Sequence, residues 1–242
     1  MRIFVISLKN SFERRASIEQ QMANHGLSFE FFDAIDGRVN PPHPLFANYD
    51  YTKRLWLTSG RMPMRGELGC YASHYLLWEK CIELGEPIVI LEDDAKILPS
   101  FVNYFSTIKV KTQEYGFLRL EEAYERSRLF LKEKENDFEI SFLSNNLGGA
   151  RAYSLSPESA DKLIKGSQRW SMPVDNYMGS LYLHNMPSFL FQPNVVENPE
   201  YFETTFQYDI QPCAPLYRKP TREMYSLYRN IRMALANNVY KK

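Results

Sequence analysis

Ile88-Val89-Ile90-Leu91-Glu92-Asp93-Asp94 is the stretch on which the reading of this chain turns. Four apolar residues in a row suit a buried strand, and the run ends abruptly in three consecutive carboxylates. In open α/β sheets, ligands bind in the crevice outside the carboxyl ends of the strands. Acids planted there are placed to hold a divalent cation, since magnesium-type ions are bound by one or two carboxylates together with substrate phosphates. For a short acidic run taken alone, the commoner reading is that it caps the next helix or faces solvent.

Outward from that stretch, strands and helices alternate. Residues 3–7 form an apolar run suited to a first strand, and 11–25 read as a helix with Ile18 and Met22 on one face and Gly26 as its stop. Residues 29–32 suit a second strand, ending in Asp33-Ala34-Ile35-Asp36-Gly37, where Asp-Gly marks a turn. A Pro-rich loop follows at 40–44, and the pattern from there to Met64 assigns to nothing. Residues 67–84 form a helix, with Leu68, Tyr71, Tyr75 and Trp78 at helical spacing and Gly85 after it. A helix from Pro99, a strand near 117–120, a polar stretch at 132–137 and a strand at 150–155 come next. Ser156-Pro157 opens a helix that Gly166 closes. The alternation predicts an α/β fold with a mainly parallel central sheet covered on both faces. We read one domain over residues 1–214 and a C-terminal extension over 215–242.

The 242 residues suffice for a substantial core, and the formal net charge of zero argues against a nucleic-acid partner. The charge is uneven, however. From Pro215 onward there are seven Lys/Arg against one acid, which leaves 22 basic and 28 acidic residues before it. A basic tail on an acidic body suggests an anionic partner for the tail. Three cysteines, Cys70, Cys81 and Cys213, are too sparse for a disulfide framework and lack zinc-like spacing. The apolar run at the N-terminus reads as a strand rather than a signal peptide. No segment approaches the roughly 18 apolar residues of a membrane span, so a cytoplasmic protein is expected.

Several constellations carry chemistry. Ser7-Leu8-Lys9-Asn10-Ser11 leads from the first strand into a helix start, an anion-binding arrangement to which Arg14 and Arg15 add forked donors suited to phosphate. There is no Gly-x-Gly-x-x-Gly. Gly66, Gly69, Ala72 and Ser73 give the long helix a face of small residues that admits a ligand or a neighbouring strand, and His74 reads as a ligand, a phosphate donor or a core histidine. Gly148-Gly149 suggests close approach of backbone to something. Asp175 reads as an N-cap or as a general base near Asp94.

In this order the motifs resemble glycosyltransferase family 25, the lipooligosaccharide biosynthesis family. The matching pieces are Val5-Ile6-Ser7-Leu8 with Arg14-Arg15, Phe31-Phe32-Asp33-Ala34, and Gly66-Glu67-Leu68-Gly69-Cys70 with Ser73-His74 and Leu77-Trp78. Then follow Leu91-Glu92-Asp93-Asp94, Leu118-Arg119-Leu120-Glu121, Gly149-Ala150 with Tyr153, and Val174-Asp175. The resemblance implies a GT-A-like nucleotide-binding sandwich in which the acidic motif holds Mn2+ or Mg2+ on a sugar-nucleotide diphosphate. Asp94 is then the first choice for the metal, with Glu92 beside it. Ser7, Leu8, Arg14, Arg15, Asp33 and Ala34 fall at the nucleotide end of the pocket. Glu67, Ser73 and His74 fall nearer the sugar or diphosphate, Asp93 contacts the ribose or the sugar or acts through water, and Arg119 and Gly149 are further candidates for binding the sugar nucleotide. The implied reaction is inverting transfer of galactose or glucose from a UDP-sugar to a lipooligosaccharide or LPS core acceptor, with Asp175 as base and Glu121 as its rival. A nucleotidyltransferase and a catalytically silent nucleotide-sugar-binding module are the alternatives, and a glycosidase is more distant.

The tail carries its own pattern. From Thr221 onward, Met224, Leu227, Tyr228, Ile231 and Leu235 fall on one helical face with Arg222, Arg229 and Arg232 to one side. Such a helix rests on an anionic membrane surface, here the cytoplasmic face of an inner membrane, or docks its apolar face on the parent domain.

Overall fold

The computed structural model describes residues 1–124, 127–144, 146, 148–198 and 213–241. Its strands are β1 (Arg2–Ser7), β2 (Glu30–Asp33), β3 (Ile88–Glu92), β4 (Lys96–Ile97), β5 (Phe117–Arg119), β6 (Leu129–Lys134), β7 (Glu139–Leu143), β8 (Ala152–Leu155), β9 (Phe189–Gln192) and β10 (Val196–Glu197). Its helices are α1 (Phe12–Asn24), α2 (Tyr51–Trp56), α3 (Arg65–Leu84), α4 (Ser100–Tyr115), α5 (Pro157–Gly166), α6 (Val174–Met178), α7 (Leu181–His184) and α8 (Lys219–Asn238). Eight strands form one sheet in the order β2-β1-β3-β8-β5-β9-β7-β6, and β4 pairs with β10 separately. Six of the eight point the same way, so the α/β sheet is mainly parallel; β7 and β8 run against the rest.

The run at 88–91 lies at the centre of the sheet, and its alternation explains its composition. Ile88 and Ile90 join Phe4 and Ile6 in a core roofed by α3, α5 and α6, while Val89 and Leu91 join Ile3 and Val5 in a core under α1 and α4. All four residues are 0% exposed, and each such burial is worth roughly 1.5–3 kcal/mol. A strand covered on both faces has no reason to alternate polar and apolar residues.

Helix α3 supplies much of the first core. Tyr71 stacks on Trp170 with ring centroids 4.2 Å apart, and Gly85, at φ 64°, ends the helix in the left-handed conformation. Two of its small residues, Gly69 and Ser73, meet chain. A Cβ at Gly69 would lie 2.2 Å from the Ile35 carbonyl oxygen. One turn on, Ser73 Oγ accepts the Ile35 N–H at 2.9 Å and donates to the Gly69 carbonyl at 2.7 Å. The segment after β2 is thereby laid across the helix.

Two regions differ from the sequence reading. Residues 44–64, unassigned from pattern, contain a 3-10 turn at Pro44–Asn48 and α2, which Asp50 caps by accepting the Lys53 N–H at 2.8 Å. The polar stretch at 132–137 runs from the end of β6 into the turn of the β6–β7 hairpin. β6 is the edge strand, and its alternation is inverted: Leu129 and Leu131 are exposed, while Glu133 turns inward to bond Lys111 and Tyr115.

Helix α8 docks on the domain, but not by the face its apolar pattern suggested. Thr221 Oγ1 donates to the Trp56 carbonyl at 2.6 Å, Arg222 Nε to that of Thr58 at 3.1 Å, and Met233, Ala236 and Tyr240 pack on the second core. The stripe Met224, Leu227, Tyr228, Ile231 and Leu235 points outward, each residue between 48% and 74% exposed. Among the described residues no helix is long and apolar enough to cross a membrane.

Gly69→Ala tests the crossing of α3 and the 35–37 segment. We expect a loss of about 1–3 kcal/mol, the usual cost of overpacking, measured by urea denaturation. A change below about 0.5 kcal/mol, the range of a neutral substitution, would show that the segment is not pinned there.

Candidate active site

The carboxyl ends of three neighbouring parallel strands define the site. Register pairs Ser7 with Asp33 and Ile6 with Glu92, so β1, β2 and β3 deliver Ser7, Asp33 and Glu92 to one edge. A cavity of about 450 Å³ opens there, lined by Ser7, Leu8, Arg14, Ala34, Ser73, Glu92, Asp93 and Asp94, and also by Asp36, Arg38, Arg65, Cys70 and Arg151. That volume lies in the range of small-molecule sites, roughly 300–1,000 Å³. A hollow of similar size, about 460 Å³, lies between α4 and the β6–β7 hairpin. Its lysine, Lys111, is already bonded to Glu114 and Glu133.

Each of the three acids has a different partner. Asp93 Oδ2 accepts from Ser7 Oγ at 2.7 Å and its Oδ1 from Arg14 Nη1 at 3.1 Å. Asp94 Oδ1 accepts from Arg151 Nε at 3.0 Å. Glu92 Oε1 lies 3.3 Å from His74 Nε2 and 4.0 Å from Cys70 Sγ. Burial raises the Asp94 carboxyl, Glu92's charge raises it further, and Arg151 opposes both without cancelling them. Burial also pushes Glu92 upward, but the His74 hydrogen bond and the nearby arginines outweigh it and hold that carboxyl below the usual range.

His74 is wholly buried, and its neighbours fix its tautomer. Trp78 Nε1 lies 3.0 Å from the Tyr153 hydroxyl, and His74 Nδ1 lies 2.8 Å from it. An indole N–H can only donate, so the Tyr153 oxygen accepts there. An ionised carboxylate can only accept, so the proton of a neutral imidazole sits on Nε2, facing Glu92, and Nδ1 accepts the Tyr153 hydrogen. Cys70, His74 and Glu92 do bring their donor atoms within 4.8 Å of one another, yet this hydrogen bonding already accounts for the cluster. Hard oxygen donors suit Mn2+ or Mg2+, and Glu92 and Asp94 both present carboxylates to the cavity.

The remaining predicted residues lie outside the cavity lining. Arg15 is a clamp: its Nη2 donates to the Ser7 carbonyl at 2.9 Å and to Asp33 Oδ1 at 2.7 Å, and its Nε to the Leu8 carbonyl at 3.1 Å. Asp33, thus paired, is held below the ordinary carboxylate range by that Arg15 bond. Glu67 is buried beneath the site, bonded to Arg54 Nη2 at 2.9 Å and to the Tyr49 hydroxyl at 3.2 Å. Glu121 is bonded to Arg151 through Nη1 and the backbone N–H, both at 3.1 Å, and lies 3.7 Å from Arg119. Arg119 in turn donates to Asn146 Oδ1 at 2.7 Å and to the Gly148 carbonyl at 2.6 Å. Gly149 has φ 85°, and a Cβ there would lie 2.3 Å from the Arg119 guanidinium, so no side chain fits. Asp175 sits in the first turn of α6 and accepts the Asn176 N–H at 2.7 Å. Burial raises its carboxyl, and Glu92's charge adds to the effect.

Sequence reasoning missed Arg151, Asp36 and Arg38. Asp36 and Arg38 form a forked pair at 2.8 and 2.9 Å on the rim, and the Asp-Gly turn that contains Asp36 was a signal for a loop at this edge.

The family model for glycosyltransferase family 25 (LPS biosynthesis protein) matches residues 1–178. The chain belongs to that family. Among relatives, lipooligosaccharide biosynthesis protein lic2B of Haemophilus influenzae is 27% identical over 162 residues, covering 67% of this chain and 53% of that protein. Procollagen galactosyltransferase 2 of Homo sapiens is 27% identical over 214 residues, 84% of this chain and 32% of that one. A protein of Rattus norvegicus named probable inactive glycosyltransferase 25 family member 3 is 27% identical over 202 residues, 74% of this chain and 32% of that one. The chain thus spans about a third to a half of the length of these relatives. Membership alone does not distinguish active from inactive members, so the case for activity rests on the site.

Tyr153→Phe tests the buried relay. It strands the Trp78 N–H and His74 Nδ1, and each unmet buried group costs about 1–3 kcal/mol. Chemical denaturation should show a loss in that range, whereas an unchanged midpoint would overturn the tautomer assignment.

Proposed function

We propose that the chain transfers galactose or glucose from its UDP-sugar to a hydroxyl of a lipooligosaccharide core, in a single displacement that inverts the anomeric centre. The observation that carries the reading is that Glu92, Asp93 and Asp94 share one cavity with Arg14 and Arg151 at the strand ends. A lone diphosphate is repelled by such acids and a lone dication by such arginines; a metal–diphosphate pair meets both. The names of two relatives, one a lipooligosaccharide biosynthesis protein and one a galactosyltransferase, support this acceptor class and favour galactose as donor.

In this reading Ser7, Leu8 and Ala34 line the nucleotide end, with Arg15 and Asp33 holding its loop and Arg14 turned to the diphosphate. Glu92 and Asp94 hold Mn2+ or Mg2+, which when bound neutralises charge on the leaving diphosphate. The acceptor oxygen bonds to the anomeric carbon as the bond to UDP breaks, and the electron pair leaves with UDP. Asp175 takes the acceptor's proton. Its carboxylate has no ion pair with a described residue, and burial keeps it basic. Glu121, held by two arginines, positions Arg151 instead.

The test is thermal stabilisation by a panel of nucleotide sugars with and without Mn2+, followed by product analysis. We expect a metal-dependent shift with UDP-galactose or UDP-glucose, and release of UDP rather than pyrophosphate. Asp94→Ala should remain folded and lose both shift and transfer. Asp175→Asn should keep the shift and lose about 10²–10⁴ in kcat. Since the base works ionised and its pKa is raised, wild-type turnover should fall with pH through a value above that of an ordinary aspartate, about 3.9. A shift without turnover would leave the silent-module reading in its place, and no shift with any nucleotide sugar would count against a preformed donor site.

The outward stripe of α8 fits an anionic lipid surface, the place where a lipid-linked acceptor is found. Exposed Lys219, Arg232 and Lys241 accompany it, as anionic headgroups require. Leu227→Glu with Ile231→Glu should lower co-sedimentation with phosphatidylglycerol vesicles at least severalfold, and undiminished binding would exclude the stripe as the contact.

A further inference from the structure

Arg151 enters the cavity from the residue before β8, and its main chain is pinned on both sides. Its N–H donates to Glu121 Oε1 at 3.1 Å, and its carbonyl accepts the Glu92 N–H at 2.8 Å. Only the guanidinium has a choice of partner. It donates through Nε to Asp94 Oδ1 at 3.0 Å and through Nη1 to Glu121 Oε2 at 3.1 Å.

The two acids depend on it unequally. Glu121 keeps Arg119 at 3.7 Å and the Arg151 backbone N–H whichever way the guanidinium turns. Asp94 has no such reserve, because among the described residues Arg151 is its one side-chain hydrogen-bonding partner. Asp93 differs again, with both oxygens already engaged by Ser7 and Arg14. Of the three acids at the end of β3, Asp94 alone is held by a single long side chain that can leave.

We propose that Arg151 is the resident counter-ion of Asp94 and moves onto the donor diphosphate when metal and nucleotide bind, so that the two ligands bind as a linked pair. The inference rests on the transferase reading above and names the residue that couples its two ligands. A dication arriving alone must displace a guanidinium that then has no new partner. A diphosphate arriving alone finds that guanidinium occupied and three carboxylates beside it. Arriving together, they exchange partners: Asp94 turns to the dication, and the forked guanidinium turns to phosphate oxygens, which suit its geometry. Linkage of this kind is reciprocal, each ligand tightening the other by the same factor.

The experiment is calorimetric titration of the whole chain with Mn2+ alone, UDP alone, and each in the presence of the other, for wild type, Arg151→Gln and Arg151→Lys. In wild type each ligand should tighten the other by about tenfold, within the usual range of such couplings. Arg151→Gln should bind Mn2+ alone more tightly than wild type, and its coupling should fall below about threefold. Arg151→Lys keeps the charge and guards against misfolding of the Gln variant. It should bind Mn2+ alone as wild type does, but with weaker coupling, because a lysine lacks the fork. Coupling in wild type that persists unchanged in both variants would overturn the role of Arg151 while leaving the transferase reading intact. Wild type that binds neither Mn2+ nor UDP would instead remove the transferase reading, and this inference with it.

Discussion

Three adjacent carboxylates at the end of a fully buried strand are the constraint from which the rest of this architecture follows. A charge withdrawn from water is tolerated only when paired or well hydrogen-bonded, and neighbours of like sign raise the penalty. The chain meets that requirement from three separate elements. α1 carries Arg14 to Asp93, α3 carries His74 to Glu92, and the approach to β8 carries Arg151 to Asp94. None of these elements is near the others in sequence, so the acidic cluster is stable only in the complete fold. The acidic edge and the topology are one problem with one solution.

The direction of β8 is the part of that solution that pattern alone hides. Because β8 runs antiparallel to β3, Ala152 pairs with Leu91, and the start of β8 lies beside the end of β3. A parallel strand would have put Leu155 there. The reversal therefore sets Arg151 next to Glu92 and Asp94. It also explains Gly148 and Gly149, whose positive φ angles turn the chain into β8 past the Arg119 guanidinium.

Legibility follows the same division. The strand at 88–91, the helix at 67–84 and the acidic edge were readable because each is encoded locally, by an apolar run, by helical spacing with a terminal glycine, or by adjacent charges. Arg151 was not, since one arginine between two alanines has no local signature and gains its role from strand direction. The small residues of α3 were seen, but whether they faced ligand or chain depended on where the Ile35–Gly37 segment passes. The tail shows the opposite failure. Its apolar stripe was found correctly, yet the domain is held by Met233, Ala236 and Tyr240 on the other side of the helix, a weaker pattern that the stripe obscured.

The distribution of ion pairs also separates the two halves of the reaction centre. On the side assigned to the donor, acids and arginines are matched, Asp93 with Arg14, Asp94 with Arg151, Asp36 with Arg38. That matching is what an incoming metal–diphosphate needs, since each ion of the pair finds an opposite charge and neither is bound prematurely. A general base has the reverse requirement: a carboxylate already committed to arginines is a poor proton acceptor, because its negative charge is stabilised where it stands. Glu121, gripped by Arg119 and Arg151, fails that requirement, while Asp175, raised by burial and, among the described residues, bonded to a backbone N–H and to no arginine, meets it. In the proposed mechanism, the acceptor side of the site is therefore the one that carries the carboxylate the arginines leave alone.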